Sequence, residues 1–134
     1  MMVVDTNVMV YLLTGSGPWE DAARLLAHDP QWAAPPIILS ELRNVVVGLV
    51  RRGHLGKADA LAICEDAEAI LGPRVASVPP SPVLEIAMGR DLSACDAEFV
   101  VLARVLGVPL VTTDQAILDA APDVARPPEG VSEG

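Results

Sequence analysis

Four acidic residues lie at positions from which carboxylate chemistry is possible. Asp5 directly follows a short apolar run, and Asp114 comes two residues after another such run. Glu41 borders the apolar stripe of a predicted helix, and Asp96 opens a helix that is apolar on nearly every side. Taken singly, three of them can be helix caps and Glu41 a solvated charge. Taken together, they indicate a functional site built on carboxylates.

The rest of the chain offers few other catalytic groups. His28 and His54 are the only histidines, and Lys57 is the only lysine. Cys64 and Cys95 lack CxxC spacing and have no histidine partner close in sequence, so neither a disulfide scaffold nor a structural zinc site is expected. A histidine base and an activated amine are equally disfavoured. Any chemistry must therefore rest on carboxylates.

The composition predicts one folded, acidic domain. The chain has 134 residues, 51% of them hydrophobic, and its 9 basic and 18 acidic residues give a formal net charge of −9. Such a charge argues against a nucleic-acid partner, because clustered Lys and Arg normally bind phosphates. The sequence contains no uncharged apolar stretch of the roughly 20 residues that a membrane span needs, and no basic region at its start. We therefore expect a cytoplasmic protein without a membrane segment.

Hydrophobic spacing predicts strands that alternate with helices. The predicted strands cover residues 2–4, 31–34, 75–78 and 109–112, with an edge strand near Val124. The predicted helices follow Asp5, begin near Trp19, form a hairpin over 37–52 and 56–71, and cover 82–88, 94–106 and 115–120. Because parallel strands need helical crossovers, this order predicts a three-layer α/β/α domain with a mostly parallel sheet of four or five strands. Ligands bind such sheets at the carboxyl ends of the strands, where Asp5 and Asp114 would lie.

Four sequence motifs carry a resemblance to a known family. They are Val3-Val4-Asp5-Thr6-Asn7-Val8, the segment from Pro36 to Glu41-Leu42, Leu92-Ser93-Ala94-Cys95-Asp96-Ala97, and Leu110-Val111-Thr112-Thr113-Asp114. In order and separation these motifs resemble those of PIN-domain ribonucleases, and among them the VapC-type toxins of type II toxin-antitoxin modules. The resemblance covers about residues 2–126. It implies a single PIN-like nuclease domain over 1–126, followed by a flexible C-terminal tail over 127–134.

The resemblance also implies roles for individual residues. The implied catalytic acids are Asp5, Glu41, Asp96 and Asp114, of which Asp5, Asp96 and Asp114 coordinate metal and Glu41 orients or coordinates through water. Asn7 is expected to hold Asp5 by a hydrogen bond, and Thr112 or Thr113 to contact phosphate or a water on the metal. A site made only of oxygen ligands suits Mg²⁺ or Mn²⁺ and not zinc, which prefers Cys and His.

The function implied is that of a divalent-metal-dependent endoribonuclease, the toxin of a toxin-antitoxin pair, that hydrolyses RNA with a metal-activated water. Its expected partners are RNA, a cognate antitoxin packed on the helical hairpin, and a second copy in a homodimer. A haloacid-dehalogenase-type phosphatase would need Asp at the position of Asn7, and a receiver domain would need a lysine after a late strand, whereas Lys57 lies in the hairpin. The alternative that stays open is a non-catalytic PIN-fold RNA- or protein-binding module, which predicts missing acids.

Overall fold

Strands and helices alternate along the chain, as the hydrophobic spacing predicts. The computed structural model describes residues 1–131. Its strands are β1 (Met2–Val4), β2 (Trp32–Ala33), β3 (Leu110–Val111) and β4 (Ala125–Arg126). Its helices are α1 (Thr6–Thr14), α2 (Trp19–His28), α3 (Ile37–Arg51), α4 (Lys57–Leu71), α5 (Pro80–Arg90), α6 (Ala94–Leu106) and α7 (Gln115–Ala120), and a 3₁₀ turn covers Pro128–Gly130.

The four strands form one parallel sheet in the order β2-β1-β3-β4. In the central strand, Val3 pairs with Ala33 on one side and with Leu110 on the other. All three residues of β1 are buried although successive side chains point to opposite faces, so helices cover both faces of the sheet. The predicted α/β class and the parallel sheet of four strands are confirmed.

The predicted strand over 75–78 is wrong. Only an isolated parallel bridge joins Val75 to Ala34, where the Ala76 amide donates to the Ala34 carbonyl over 3.1 Å. Pro79 and Pro80 follow at once, and proline has no N–H with which to continue a strand ladder. Proline suits the first turn of a helix, however, so α5 begins at Pro80 and not at the predicted residue 82.

Helix α6 is the central helix of the core. Ala97 and every residue from Phe99 to Ala103 are buried, and the helix packs against β1 and β3. This burial fixes the position of the first turn of α6 relative to the carboxyl ends of both strands. The helical hairpin of α3 and α4 lies beside α1, and an Arg43–Glu68 ion pair of 3.2 Å joins its two helices.

The last described residues pack against α2. Pro128 is buried, and the Arg24 guanidinium donates to its carbonyl over 3.3 Å. The expected flexible tail covers 127–134, and its last three residues, 132–134, lie outside the described residues. Across residues 1–131 no helix combines the length and the apolar character needed to cross a membrane.

Candidate active site

The four acids predicted from the sequence line one cleft of about 220 Å³. Asp5 joins β1 to α1, Glu41 lies on α3, Asp96 is in the first turn of α6, and Asp114 precedes α7. The cleft is also lined by Thr6, Asn7, Asn44, Val45 and Phe99. Four separate segments therefore bring their carboxylates to the carboxyl ends of the neighbouring strands β1 and β3.

Asp5 is the most constrained of the acids. It is 6% exposed, and its Oδ1 accepts a hydrogen bond from the Val8 amide at 3.0 Å, which caps α1. Its Oδ2 accepts a short hydrogen bond from the Thr112 hydroxyl. The residue is thus both a helix cap and a wall of the cleft, which are the two roles that its sequence position allowed.

Thr112 connects two of the acids from beneath the cleft. Its side chain is fully buried, and its Oγ1 accepts a hydrogen bond of 3.0 Å from the Asp114 amide while its hydroxyl donates to Asp5. The Asp114 carboxylate in turn accepts from the Ala116 amide at 2.9 Å and caps α7. Thr112 therefore supports the carboxylates from behind and does not line the cleft. Thr113 lies within 3.4 Å of the Tyr11 hydroxyl.

Two lining residues received no role from the sequence. The Thr6 hydroxyl donates to Glu41 Oε1 over 2.9 Å, so the residue next to Asp5 holds the acid of α3 in place. Asn44 lies three residues after Glu41, on the same face of α3. Thr6 belongs to the first motif and is buried, whereas a single exposed amide such as Asn44 gives no sequence signal.

Asn7 lines the cleft with an exposed side chain. Within residues 1–131 no hydrogen bond joins it to Asp5, whose two oxygens are held by the Val8 amide and by Thr112 instead. Helix α1 starts at Thr6, so the Asn7 side chain projects from the first turn beside the cleft and not beneath it. The amide of Asn7 is consequently available to other groups in the cleft.

Burial and mutual repulsion raise the pKa values of two acids in the cleft, Asp5 and Asp96. The pKa of Asp5 is raised from 3.8 to about 6, mainly by burial. The hydrogen bonds from Thr112 and Val8 oppose this rise, and the negative charges of Asp114 and Asp96 add to it. Burial and the charge of Asp114 also raise the pKa of Asp96, and a hydrogen bond with Ser93 opposes that rise. No Lys, Arg or His among the described residues lines the cleft, so its negative charge has no cation of the chain to balance it.

The donor set of the cleft fits a hard divalent cation. Carboxylate, amide and hydroxyl oxygens are the ligands that Mg²⁺ and Mn²⁺ prefer, and neither His nor Cys lines the cleft in the described part of the chain. In residues 1–131 no three His, Cys, Asp or Glu side chains are already arranged at coordinating distance. Binding of one ion by three of these residues would therefore require the carboxylates to move closer together, with the charge of the ion offsetting their mutual repulsion.

Solved structures with the same fold span nearly the whole chain. PAE2754 from Pyrobaculum aerophilum is 22% identical, with a TM-score of 0.75 over 92% of this chain and 81% of that one. FitAcB from Neisseria gonorrhoeae is 19% identical, with a TM-score of 0.72 over 98% and 100%. VapBC2 from Rickettsia felis, solved bound to a promoter DNA fragment, is 17% identical, with a TM-score of 0.64 over 94% and 97%. At these identities the likeness shows a shared fold.

Sequence comparison reaches the same result by an independent route. No curated protein matches the chain. The sequence model of the PIN domain, however, matches residues 2–122, a range that contains all four acids of the cleft. The resemblance seen in the four motifs is confirmed, and the chain belongs to the PIN domain family.

Proposed function

We propose that this protein is a divalent-metal-dependent endoribonuclease and the toxin of a toxin-antitoxin pair, acting in the cytoplasm. The observation that carries the proposal is the convergence of Asp5, Glu41, Asp96 and Asp114, from four separate segments, on one cleft without a balancing cation among the described residues. Asp5 is buried and the other three acids are half-buried, and folds keep poorly solvated like charges where an ion or a reaction uses them.

Asp5, Asp96 and Asp114 would hold Mg²⁺ or Mn²⁺, and Glu41 would orient or coordinate through water. A divalent ion held there supplies positive charge against the phosphate and an activated water for hydrolysis of a phosphodiester bond. The remaining residues fix the carboxylates before substrate arrives. Thr112 ties Asp5 to the backbone of Asp114, and Thr6 holds Glu41, so three of the four acids are held at the cleft.

Cleavage of RNA by purified protein tests this proposal. RNA should be cut to 5′-phosphate ends with Mg²⁺ or Mn²⁺ and left intact in EDTA, and single-stranded DNA of the same sequence should be cut more slowly. Asp96→Asn should abolish cleavage, whereas Asp119→Asn, on the exposed face of α7, should cut like wild type. Equal rates for the two variants would overturn the proposal, and RNA binding without cleavage by wild type would favour the non-catalytic binding module.

The proposed antitoxin site is a groove of about 500 Å³ beside the acids. Val10, Leu13, Leu49 and Ile63 supply an apolar floor between α1 and the hairpin, and Asp59 and Asp66 add negative charge to its wall. Val45 lines both this groove and the acid cleft, so the two are continuous. A partner segment with an apolar face and a basic end would fill the groove and place its charge among the acids. The similar structures include a toxin-antitoxin complex from Klebsiella pneumoniae, which fits such a partner.

Co-expression with a small reading frame next to the gene tests this site. The partner should suppress RNA cleavage by wild type. Leu49→Asp, which places a charge in the apolar floor, should weaken the complex and restore cleavage. Suppression that survives Leu49→Asp undiminished would contradict this placement of the partner.

The proposed homodimer uses the face formed by α5 and α6. Exposed apolar residues concentrate there, namely Leu84, Met88, Val105 and Leu106, with Met88 78% exposed. Glu85, Arg90 and Val105 line a groove on this face, so a two-fold related copy can pair opposite charges there. Light scattering should give a dimer for wild type and a monomer for Met88→Glu. Leu61→Glu on α4, an exposed position outside this face, should stay dimeric.

A further inference from the structure

Both asparagines of the chain line the acid cleft. Asn7 belongs to the first motif, but Asn44 lies in none of the four motifs. The side chain of Asn44 is exposed on α3, and among the described residues it makes no hydrogen bond. Its two amide N–H donors and its carbonyl oxygen are therefore available to a ligand in the cleft.

Few of the side chains that line this cleft can donate a hydrogen bond to a ligand. Four of the polar residues that line it are carboxylates, and the Thr6 hydroxyl already donates to Glu41. The free side-chain donors that remain on the described walls are the two asparagine amides. A nucleic acid presents anionic phosphate oxygens to any site that cuts it, and Asn side chains are among the groups that donate hydrogen bonds to those oxygens. A neutral amide gives this contact without adding to the charge of the acids.

The position of Asn44 distinguishes it from Asn7. Asn44 precedes Val45, the residue that lines both the acid cleft and the apolar groove. It therefore lies where a strand that leaves the acids along α3 would pass. Asn7, by contrast, is two residues from Asp5, so changes at Asn7 would also disturb the carboxylates. Asn44 can be replaced on an exposed helix face with little effect on the fold.

We propose that Asn44 is a substrate-binding residue whose amide donates a hydrogen bond to a phosphate oxygen of the RNA backbone beside the bond that is cut. This inference rests on the proposed nuclease function and adds a contact that the sequence did not indicate. The contact contributes to binding and not to the chemical step, because Asn44 holds none of the reacting atoms. A backbone contact also predicts an effect that is independent of RNA sequence.

Steady-state cleavage of single-stranded RNA by Asn44 variants tests the inference. Asn44→Ala should raise KM about tenfold and leave kcat within about twofold, as expected for one lost hydrogen bond to a charged group. Asn44→Asp should raise KM further, because a fifth carboxylate repels the phosphate, and Asn44→Gln should recover part of the loss. Ser40→Ala is the matched control, since Ser40 is an exposed polar residue of α3 outside this cleft.

An unchanged KM in Asn44→Ala, or a lower kcat at constant KM, would overturn the inference while leaving the nuclease intact. Binding of a fluorescein-labelled single-stranded RNA of mixed sequence, followed by anisotropy with Ca²⁺ present, separates the two proposals. If wild type binds this RNA with Ca²⁺ but does not cut it with Mg²⁺ or Mn²⁺, the nuclease proposal fails and Asn44 is judged by its effect on Kd. If wild type neither binds nor cuts, both fail.

Discussion

Replacing Asp5 by Asn should change how the stability of the metal-free protein depends on pH. The fold raises the pKa of Asp5 from 3.8 to about 6, mainly because the carboxyl group is buried. The folded state therefore holds this proton more tightly than the unfolded state does. As pH rises from 3.8 towards 6 the unfolded chain ionises first, so the free energy of unfolding of wild type falls across that window.

The displacement of the Asp5 pKa sets the size of the effect. At 1.36 kcal/mol per pKa unit, the rise to about 6 corresponds to about 3 kcal/mol of stability lost once both states are ionised. Asn keeps the cap of α1, since it is as good an N-cap as Asp. Its altered hydrogen bond with Thr112 shifts stability by an amount that does not depend on pH. The pH-dependent part of the difference between variant and wild type therefore isolates the carboxyl group.

Urea unfolding in EDTA, at a series of pH values from about 4 to 7, measures this difference. The fully buried Trp32 supplies a fluorescence signal for unfolding. The free energy of unfolding of Asp5→Asn, relative to wild type, should grow by about 2.5 kcal/mol over the series, since the unfolded chain is already more than half ionised at pH 4. The exposed Asp119→Asn variant should give a constant difference. A difference for Asp5→Asn that is equally constant would refute the reasoning, because Asp5 would then titrate alike in both states.

Three further outcomes are expected. Mn²⁺ at a hundred times its dissociation constant should stabilise wild type by about 2.7 kcal/mol in thermal unfolding. Asp96→Asn should melt higher than wild type in EDTA, because it removes a repelling charge, and it should gain no stability from Mn²⁺, because it also removes a ligand. Thr112→Val should lower the free energy of unfolding by about 2 kcal/mol at neutral pH, measured in urea, since it removes one of the two hydrogen-bond donors of the buried Asp5 carboxylate. Thr112→Ser should recover most of that loss. Ser93→Ala should cost about 1 kcal/mol in the same assay by removing the cap of α6, with no cost for the exposed Ser81→Ala.

The convergence of the acids was predictable because it follows from topology. In a parallel sheet the carboxyl ends of neighbouring strands meet, so acids placed after β1 and β3 come together whatever the details of packing. The caps made by Asp5, Ser93 and Asp114 were predictable for a similar reason, since they depend only on residues within one turn.

Contacts between distant segments were not predictable. Thr6 and Glu41 are 35 positions apart, and no local pattern links their side chains. Asn44 has the sequence signature of any solvated helix face. The segment 75–78 has the residues of a strand, but the prolines that follow it and the single bridge to Ala34 leave it outside the sheet. In this segment the lack of backbone hydrogen-bond partners outweighs the local preference for a strand.

The hydrogen bond between Thr112 and Asp5 ties the site to the centre of the sheet. Backbone pairing of β1 and β3 continues past the last strand residues through the Asp5 amide, which donates to the Val111 carbonyl over 3.2 Å. Opening the base of the cleft would break this pairing in the centre of the sheet, where β1 is buried on both faces. Local fluctuations should therefore not expose the Asp5 amide to deuterium, and its hydrogen exchange should proceed only through global unfolding. The arrangement of Asp5, Thr112 and Asp114 would then persist for as long as the chain stays folded, including when the groove beside it is filled.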